Sequence, residues 1–324
     1  MSSPVTARRP SKPGLLLVLC LLLLSTALAS RAELSSVAVL YPNIREPYQS
    51  VFLQIVTGIE ERLAVPVKRY PIMADGDGWS ALEQRLAKDN PRGIIALGRL
   101  GFEAAEKFAG RWPVIVGAVM PNPGQTTRGL SGITLAPDPA SLFQWLVKLT
   151  PTVKRVTVIY NRRIGLDAME HAQKAASLQG LTLNALPAEN LREAAGLYRD
   201  FLEGSSLDAR DSLWLLQDAS IFDENALLPV ILKEAWDKNL VVFSSTPEHV
   251  KKGALFSLYP DNFGLGRSLA ALALEQFQDG RQRAGRLLPL RDLLIAVNLR
   301  TAEHLGLRFS GHERRQFDLV FPSP

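Results

Sequence analysis

Short apolar runs that stop abruptly in small polar residues, each followed by a helical pattern, recur along this chain and leave few folds open to it. Residues 37–41, 93–97 and 114–119 are such runs, rich in Val and Ile, and 67–72 reads as a further strand between the first two. Runs this short, ended by Gly, Ser, Thr or Pro, read as buried strands of a parallel sheet. The helical patterns between them place Phe52, Ile55, Val56, Ile59 and Leu63 on one face, then run from Ser80 through 87 and over 102–109. Ser80 with Glu83 has the spacing of a capping box. Gly98-Arg99-Leu100-Gly101 reads as the loop after the third strand. Steps of about 25 residues from strand to strand indicate a doubly wound α/β sheet.

The rhythm pauses at 121–134, which reads as a connection, and then restarts. Asp138 or Ser141 caps a helix through 149. Strands come next at 156–160, 182–186 and 213–216, with helices over 167–179, 191–202 and 222–236. Residues 241–243 form another strand that breaks into Ser244-Ser245-Thr246-Pro247. Residues 253–259 read as a crossing back to the first half, 265–277 as its packing helix, and 287–297 as a further connecting strand. The expected organisation is a leader (1–32), a first lobe (33–135), a second lobe (136–252), a return to the first (253–286) and a terminal segment on the second (287–324). The chain's 324 residues and 47% apolar content supply enough material for two such cores.

Arg8, Arg9 and Lys12 precede the unbroken apolar run 15–24, and Ala27, Ala29 and Ala32 supply small residues beyond it. That order reads as a secretory signal, and a membrane span needs about 20 apolar residues. Export is therefore expected, to the periplasm. Four of the 37 basic residues lie in this leader and none of the 32 acidic ones, so the net charge of +5 falls to about +1 on its removal. A broad basic field for nucleic acid is then absent. The single cysteine, Cys20, also belongs to the leader, which leaves no thiol or disulfide chemistry.

Catalytic constellations are scarce. Histidines 171, 249, 304 and 312 share no metal-ligand spacing, and the chain has neither HExxH, GxSxG, GxxxxGK[ST] nor a post-strand GxGxxG. Asp75-Gly76-Asp77-Gly78 starts like a calcium loop, but Trp79 and Leu86 stand where ligands are needed. No metal, cofactor or catalytic residue is assigned.

The informative residues are those just past the strands, because ligands of open α/β sheets meet the carboxyl ends of strands. In the first half these are Tyr41, Asn43, Tyr48 and Arg99, with Arg45 and Glu46 nearby. In the second they are Asn161, Gln217, Asp218, Ser244 and Ser245. Aromatics offer a stacking wall, and Ser, Asn and Gln hydrogen-bond polar atoms. Arg99 could take a carboxylate or phosphate. Each also has a plain structural reading: Tyr41 ends a strand, Asn161 and Asp218 cap the segments after them, Ser244 to Pro247 start a helix, and Arg99 pairs with Glu103.

With those residues goes a family resemblance, carried by PVIVGAVMPNP (113–123), GLSGITL (129–135), KRVTVIYN (154–161), LWLLQD (213–218), VVFSS (241–245), GALFSLYPDNFGLGRSLA (253–270) and LLPLRDLLIAVNLRTAEHLGL (287–307). The chain resembles the periplasmic substrate-binding proteins of ABC transporters, in particular the group with tryptophan- and tyrosine-type binding components. The resemblance implies two Rossmann-like lobes joined by crossover strands (a type I periplasmic-binding-protein-like fold) that close on a small-molecule ligand. It implies delivery to an inner-membrane ABC permease, a monomer, and no chemistry on the ligand. The third strand of such proteins is commonly followed by Gly-Thr; here it is Gly98-Arg99. The Ser-rich run that often comes after the Asn161 position is here Arg162-Arg163-Ile164-Gly165. These arginines point away from an aromatic amino acid and toward a more anionic ligand. A sensor or adaptor of the same fold, or a periplasmic hydrolase built on the lobes, are the rival readings.

Overall fold

The computed structural model describes residues 36–73, 78–120, 129–164, 166–204, 207–277 and 285–322. The expected leader, most of the Asp75–Gly78 turn and residues 121–128 of the expected connection lie outside the described residues. The first lobe comprises β1 (Val37–Pro42), α1 (Tyr48–Arg62), β2 (Val67–Ile72), α2 (Gly78–Asp89), β3 (Gly93–Leu97), α3 (Gly98–Phe108), β4 (Val114–Val119) and β5 (Ser131–Pro137). The second comprises α4 (Pro139–Leu149), β6 (Arg155–Asn161), α5 (Leu166–Leu178), β7 (Thr182–Ala188), α6 (Leu191–Glu203), β8 (Asp211–Leu215), α7 (Leu227–Asp237), β9 (Val241–Ser244), α8 (Pro247–Lys252) and β10 (Phe256–Pro260). Then come α9 (Asn262–Gln276), β11 (Leu287–Leu290), β12 (Leu293–Asn298), α10 (Leu299–His304), α11 (Gly311–Arg314) and β13 (Leu319–Phe321).

These strands build two sheets. The first, in order β11-β5-β4-β3-β1-β2, is parallel throughout. The second, β13-β12-β10-β9-β8-β6-β7, is parallel from β10 to β7, and β12 runs antiparallel to β10. Both faces of each sheet are covered, so central strands are apolar on both sides. In β1, Ala38 and Leu40 face one core while Val37 and Val39 face the other. In the second lobe Trp214, Phe243 and Phe256 on three neighbouring strands stack ring on ring, with Phe143 of α4 set edge-on against Trp214 and Phe243.

Three segments cross between the sheets, all at the same place in the fold. One leaves the carboxyl end of β5 for α4, one leaves the carboxyl end of β10 for α9, and one leaves the carboxyl end of β11 for β12. Because β12 is antiparallel to β10, it begins beside β10's carboxyl end, where Pro260 pairs with Leu293. The carboxyl edges of both sheets therefore face one another. The crossings are stitched together: Asp138 N–H donates to Leu290 O at 2.8 Å, and Asp261 N–H to Asp292 O at 2.9 Å. The Asp138 carboxylate caps α4 through Ala140 N–H and binds Arg291 Nε at 2.9 Å and His171 Nε2 at 3.1 Å.

Several local expectations need correction. Ser80 lies inside α2 instead of capping it, because the helix has begun at Gly78. No loop separates β3 from α3: Gly98, at φ +70°, turns the strand straight into the helix, which places Arg99 in its first turn. Residues 131–137 form β5, a strand of the first sheet. Residues 216–226 are irregular, and α7 starts only at Leu227. Residues 256–260 stay hydrogen-bonded in the second sheet, and the chain meets the first lobe again with α9. The stretch 287–297 is two strands, one in each sheet.

α9 returns to the first lobe by crossing α1 at contact distance between backbones. A Cβ on Gly266 would stand 2.1 Å from Ile55 O, and one on Gly58 2.1 Å from Phe263 O. Overpacking of this kind costs about 1–3 kcal/mol, so Gly266→Ala should lower the unfolding free energy by about 2 kcal/mol in urea titration. An unchanged midpoint would show that α1 and α9 are not locked at this crossing.

Candidate functional site

The residues after β6 and β8 are joined into one unit. Asn161, only 4% exposed, donates through Nδ2 to Ser220 Oγ at 2.6 Å and accepts from Arg163 N–H at 2.8 Å. Ser220 in turn donates its hydroxyl and its N–H to Asp218 Oδ1. The second carboxylate oxygen, Asp218 Oδ2, is buried without a hydrogen bond. Gln217 beside it is exposed. Buried Tyr198 packs edge-on to Phe222, and burial, with a smaller contribution from the Asp218 charge, raises its phenol above the ordinary value.

The loop after β9 is held differently. Ser244 is fully buried, and its hydroxyl meets His249 Nδ1 at 2.7 Å and accepts from Thr246 N–H at 3.2 Å. His249, also fully buried, turns Nε2 toward Glu224 Oε1 at 3.2 Å. Burial pushes the imidazole below its ordinary value, against the pull of Glu224. Ser, His and Glu in this order resemble a hydrolytic triad in composition only. The serine oxygen is sealed from solvent and sits on Nδ1, so it has no reach to a substrate carbonyl. Ser244 thus fastens its loop to α8, and Ser245, half-buried, is the serine of the pair with access to solvent.

On the first lobe the residues lie along one sheet edge. Tyr41 is half-buried at the end of β1, and Asn43 is exposed while its N–H continues the pairing to Ile72 O at 2.8 Å. Tyr48 opens α1 with 66% of its surface exposed. Arg99 does not present a free guanidinium to the gap. It points into water from the first turn of α3 and pairs with Glu103 one turn along.

The structure therefore brings Asn161 and Asp218 together, lines Tyr41, Asn43 and Tyr48 along the opposite edge, and ties up Ser244 and Arg99. Sequence reasoning missed Ser220, Glu224 and His249. Only Ser220 had a local signal, since a serine two residues after an aspartate is an Asx-turn pattern. Among the described residues no group of three or more His, Cys, Asp or Glu side chains is placed to hold a metal ion. No described helix is long and apolar enough to cross a membrane.

The family model described as ABC transporter substrate binding protein matches residues 77–310. Among solved structures, the chain is similar to a substrate-binding protein with adhesive properties from Clostridium difficile, in a ligand-free, open structure. The two are 16% identical with a TM-score of 0.60, over 90% of this chain and 100% of that one. It is also similar to an ABC domain in complex with L-Trp from Streptococcus pneumonia, at 15% identity and a TM-score of 0.52, over 89% and 99% of the two chains. A conserved domain protein from Vibrio cholerae matches at 15% identity and a TM-score of 0.50, with the same coverage. At these identities the likeness is one of fold. No curated protein matches the chain significantly.

Because folding holds His249 below its ordinary value of 6.5, the unfolded chain takes up its proton first as pH falls. The stability that neutral His249 contributes is full above pH 6.5 and is lost on acidification through the folded value. Urea titrations between pH 7.5 and 5 should show wild type losing up to about 1.4 kcal/mol per pH unit more than His249→Gln. Parallel profiles for the two proteins would refute a neutral buried imidazole.

Proposed function

The chain belongs to the ABC transporter substrate-binding protein family, and from that premise we propose that it is the exported solute-binding component of a transporter. It captures a small molecule between its lobes and delivers it to a membrane permease, without chemistry on the solute. The observation that carries this reading is the meeting of the two carboxyl edges across three short crossings. Such an arrangement makes one gap of two sets of strand-end residues and leaves hinge closure as the simplest motion.

In this reading Tyr41, Asn43 and Tyr48 form the first-lobe side of the site, with Arg99 at its rim. Gln217, Asp218 and Ser245 form the second-lobe side. Asn161 and Ser244 set the shape of the second-lobe loops, and Asn161 presents its loop to the solute. The leader supports export, and the sealed Ser244 supports a binder over a hydrolase.

Mass spectrometry of protein purified from its native host, together with thermal shift over amino acids, peptides, organic acids and amines, tests the proposal. A cognate solute at about 100 times its Kd adds about 2.7 kcal/mol of stability. Tyr48→Ala and Asn161→Ala should each weaken binding about tenfold or more, a loss of at least 1.4 kcal/mol. Unchanged affinity in both variants would move the site elsewhere.

A further inference from the structure

The two sides of the gap differ in chemistry, and the difference sets the sign of charge the site accepts. On the second lobe, the loop after β8 and the start of α6 enclose an open depression of about 400 Å³. Gln217, Asp218, Phe222, Asp223 and Glu224 line it, with no lysine or arginine among the lining residues. Asp223 spends one oxygen on the N–H groups of Asn225 and Ala226. Glu224 lies 3.2 Å from His249 and 4.0 Å from Lys252. Asp218 Oδ2 alone is buried with no donor. With no lysine or arginine in the lining, the Asp218 carboxylate has no counter-charge inside the depression, and a cationic ligand head supplies one.

The cations of the same rim do not balance this carboxylate from within the depression. Arg99 is paired with Glu103, Arg162 stands 3.5 Å from Glu189, and Arg45 and Arg163 are exposed to water. On the facing edge of the first lobe the carboxyl ends of β1, β2 and β4 present large apolar side chains to solvent. Ile44 is 37% exposed, Tyr48 66%, Met73 55% and Met120 51%. Four such side chains along one sheet edge form a surface that a ligand's apolar body covers, and methionine adapts readily to the shape it meets.

We infer that the solute is an organic cation: an ammonium or guanidinium head enters the depression beside the Asp218 carboxylate, and an apolar body lies against Ile44, Tyr48, Met73 and Met120. The inference rests on the solute-binding reading above and reverses the sign suggested by Arg99 and Arg162-Arg163 in the sequence.

Isothermal titration with a charge-matched trio tests it: phenethylamine as cation, 3-phenylpropanoate as anion and L-phenylalanine as zwitterion. Phenethylamine should bind at least about tenfold tighter than 3-phenylpropanoate, and Asp218→Asn should abolish that preference. If Asp218→Asn fails to fold, the preference of the unaltered protein decides alone. Tighter binding of the anion or the zwitterion, or a cation affinity unchanged in folded Asp218→Asn, overturns the charge assignment and leaves solute binding standing. If none of the trio binds, the compound carried from the native host decides: an organic cation supports the inference, an anionic or neutral compound overturns it. No bound compound from the host and no binding by any solute tried would overturn the solute-binding reading itself.

Discussion

Asp138 is the point on which the two-lobed arrangement turns. Its N–H reaches Leu290 O in the β11–β12 crossing, and its carboxylate holds Arg291 of that crossing, His171 of α5 and the first turn of α4. Burial alone would raise its pKa, but the N–H of Ala140 and the Arg291 and His171 side chains outweigh it and hold the carboxyl below its usual range. A buried carboxylate with this many donors is satisfied and directional. It fixes where β5 ends and α4 begins, and so which edge of each sheet meets the other. With the crossings tied here and at Asp261–Asp292, the lobes have one shared margin about which to move.

The sheets decide the chemistry of that margin. Strands covered on both faces leave only their ends free to vary, and in parallel sheets every carboxyl end lies on one edge. The first sheet contributes Tyr41, Asn43 and Tyr48 there, and the second contributes Asn161, Gln217, Asp218 and Ser245. Hydrogen bonds within the second set make a fixed wall: Asn161 to Ser220 to Asp218 ties two strand ends, and Ser244 to His249 ties a third to the core.

Central strands and long helices were legible in the sequence, because double burial makes β1, β3 and β4 continuous apolar runs with turn residues at their ends. Elements that depend on distant partners were harder to read. β5 is recognisable as a strand only through its pairing with β4 and, across nearly half the chain, with β11, and the break that puts β11 and β12 in different sheets carries no local mark. The immediate start of α3 depends on Gly98 adopting a left-handed conformation beside Pro42 and Phe52, which no local pattern announces. The site shows the same division. Strand ends pointed to Asn161, Asp218 and Tyr48, whereas the partners that decide what each side chain is free to do were hidden. Arg99 has its partner four residues away, a spacing visible in the sequence. Ser220 lies 59 residues from Asn161, and Arg291 lies 153 from Asp138.

Closure about the Asp138 margin is the central claim, and a distance across the mouth of the gap tests it most directly. The mouth lies at β2 and β7, the strands farthest from the crossings in the two sheets. The chain's single cysteine is Cys20, so in a Cys20→Ser background Ser80→Cys in α2 and Arg192→Cys in α6 give two clean spin-label sites. Double electron–electron resonance on protein stripped of solute, and again with the solute that raises its Tm, reads the change. The account predicts a shorter and narrower distance distribution with solute bound. The same distribution in both states would contradict it.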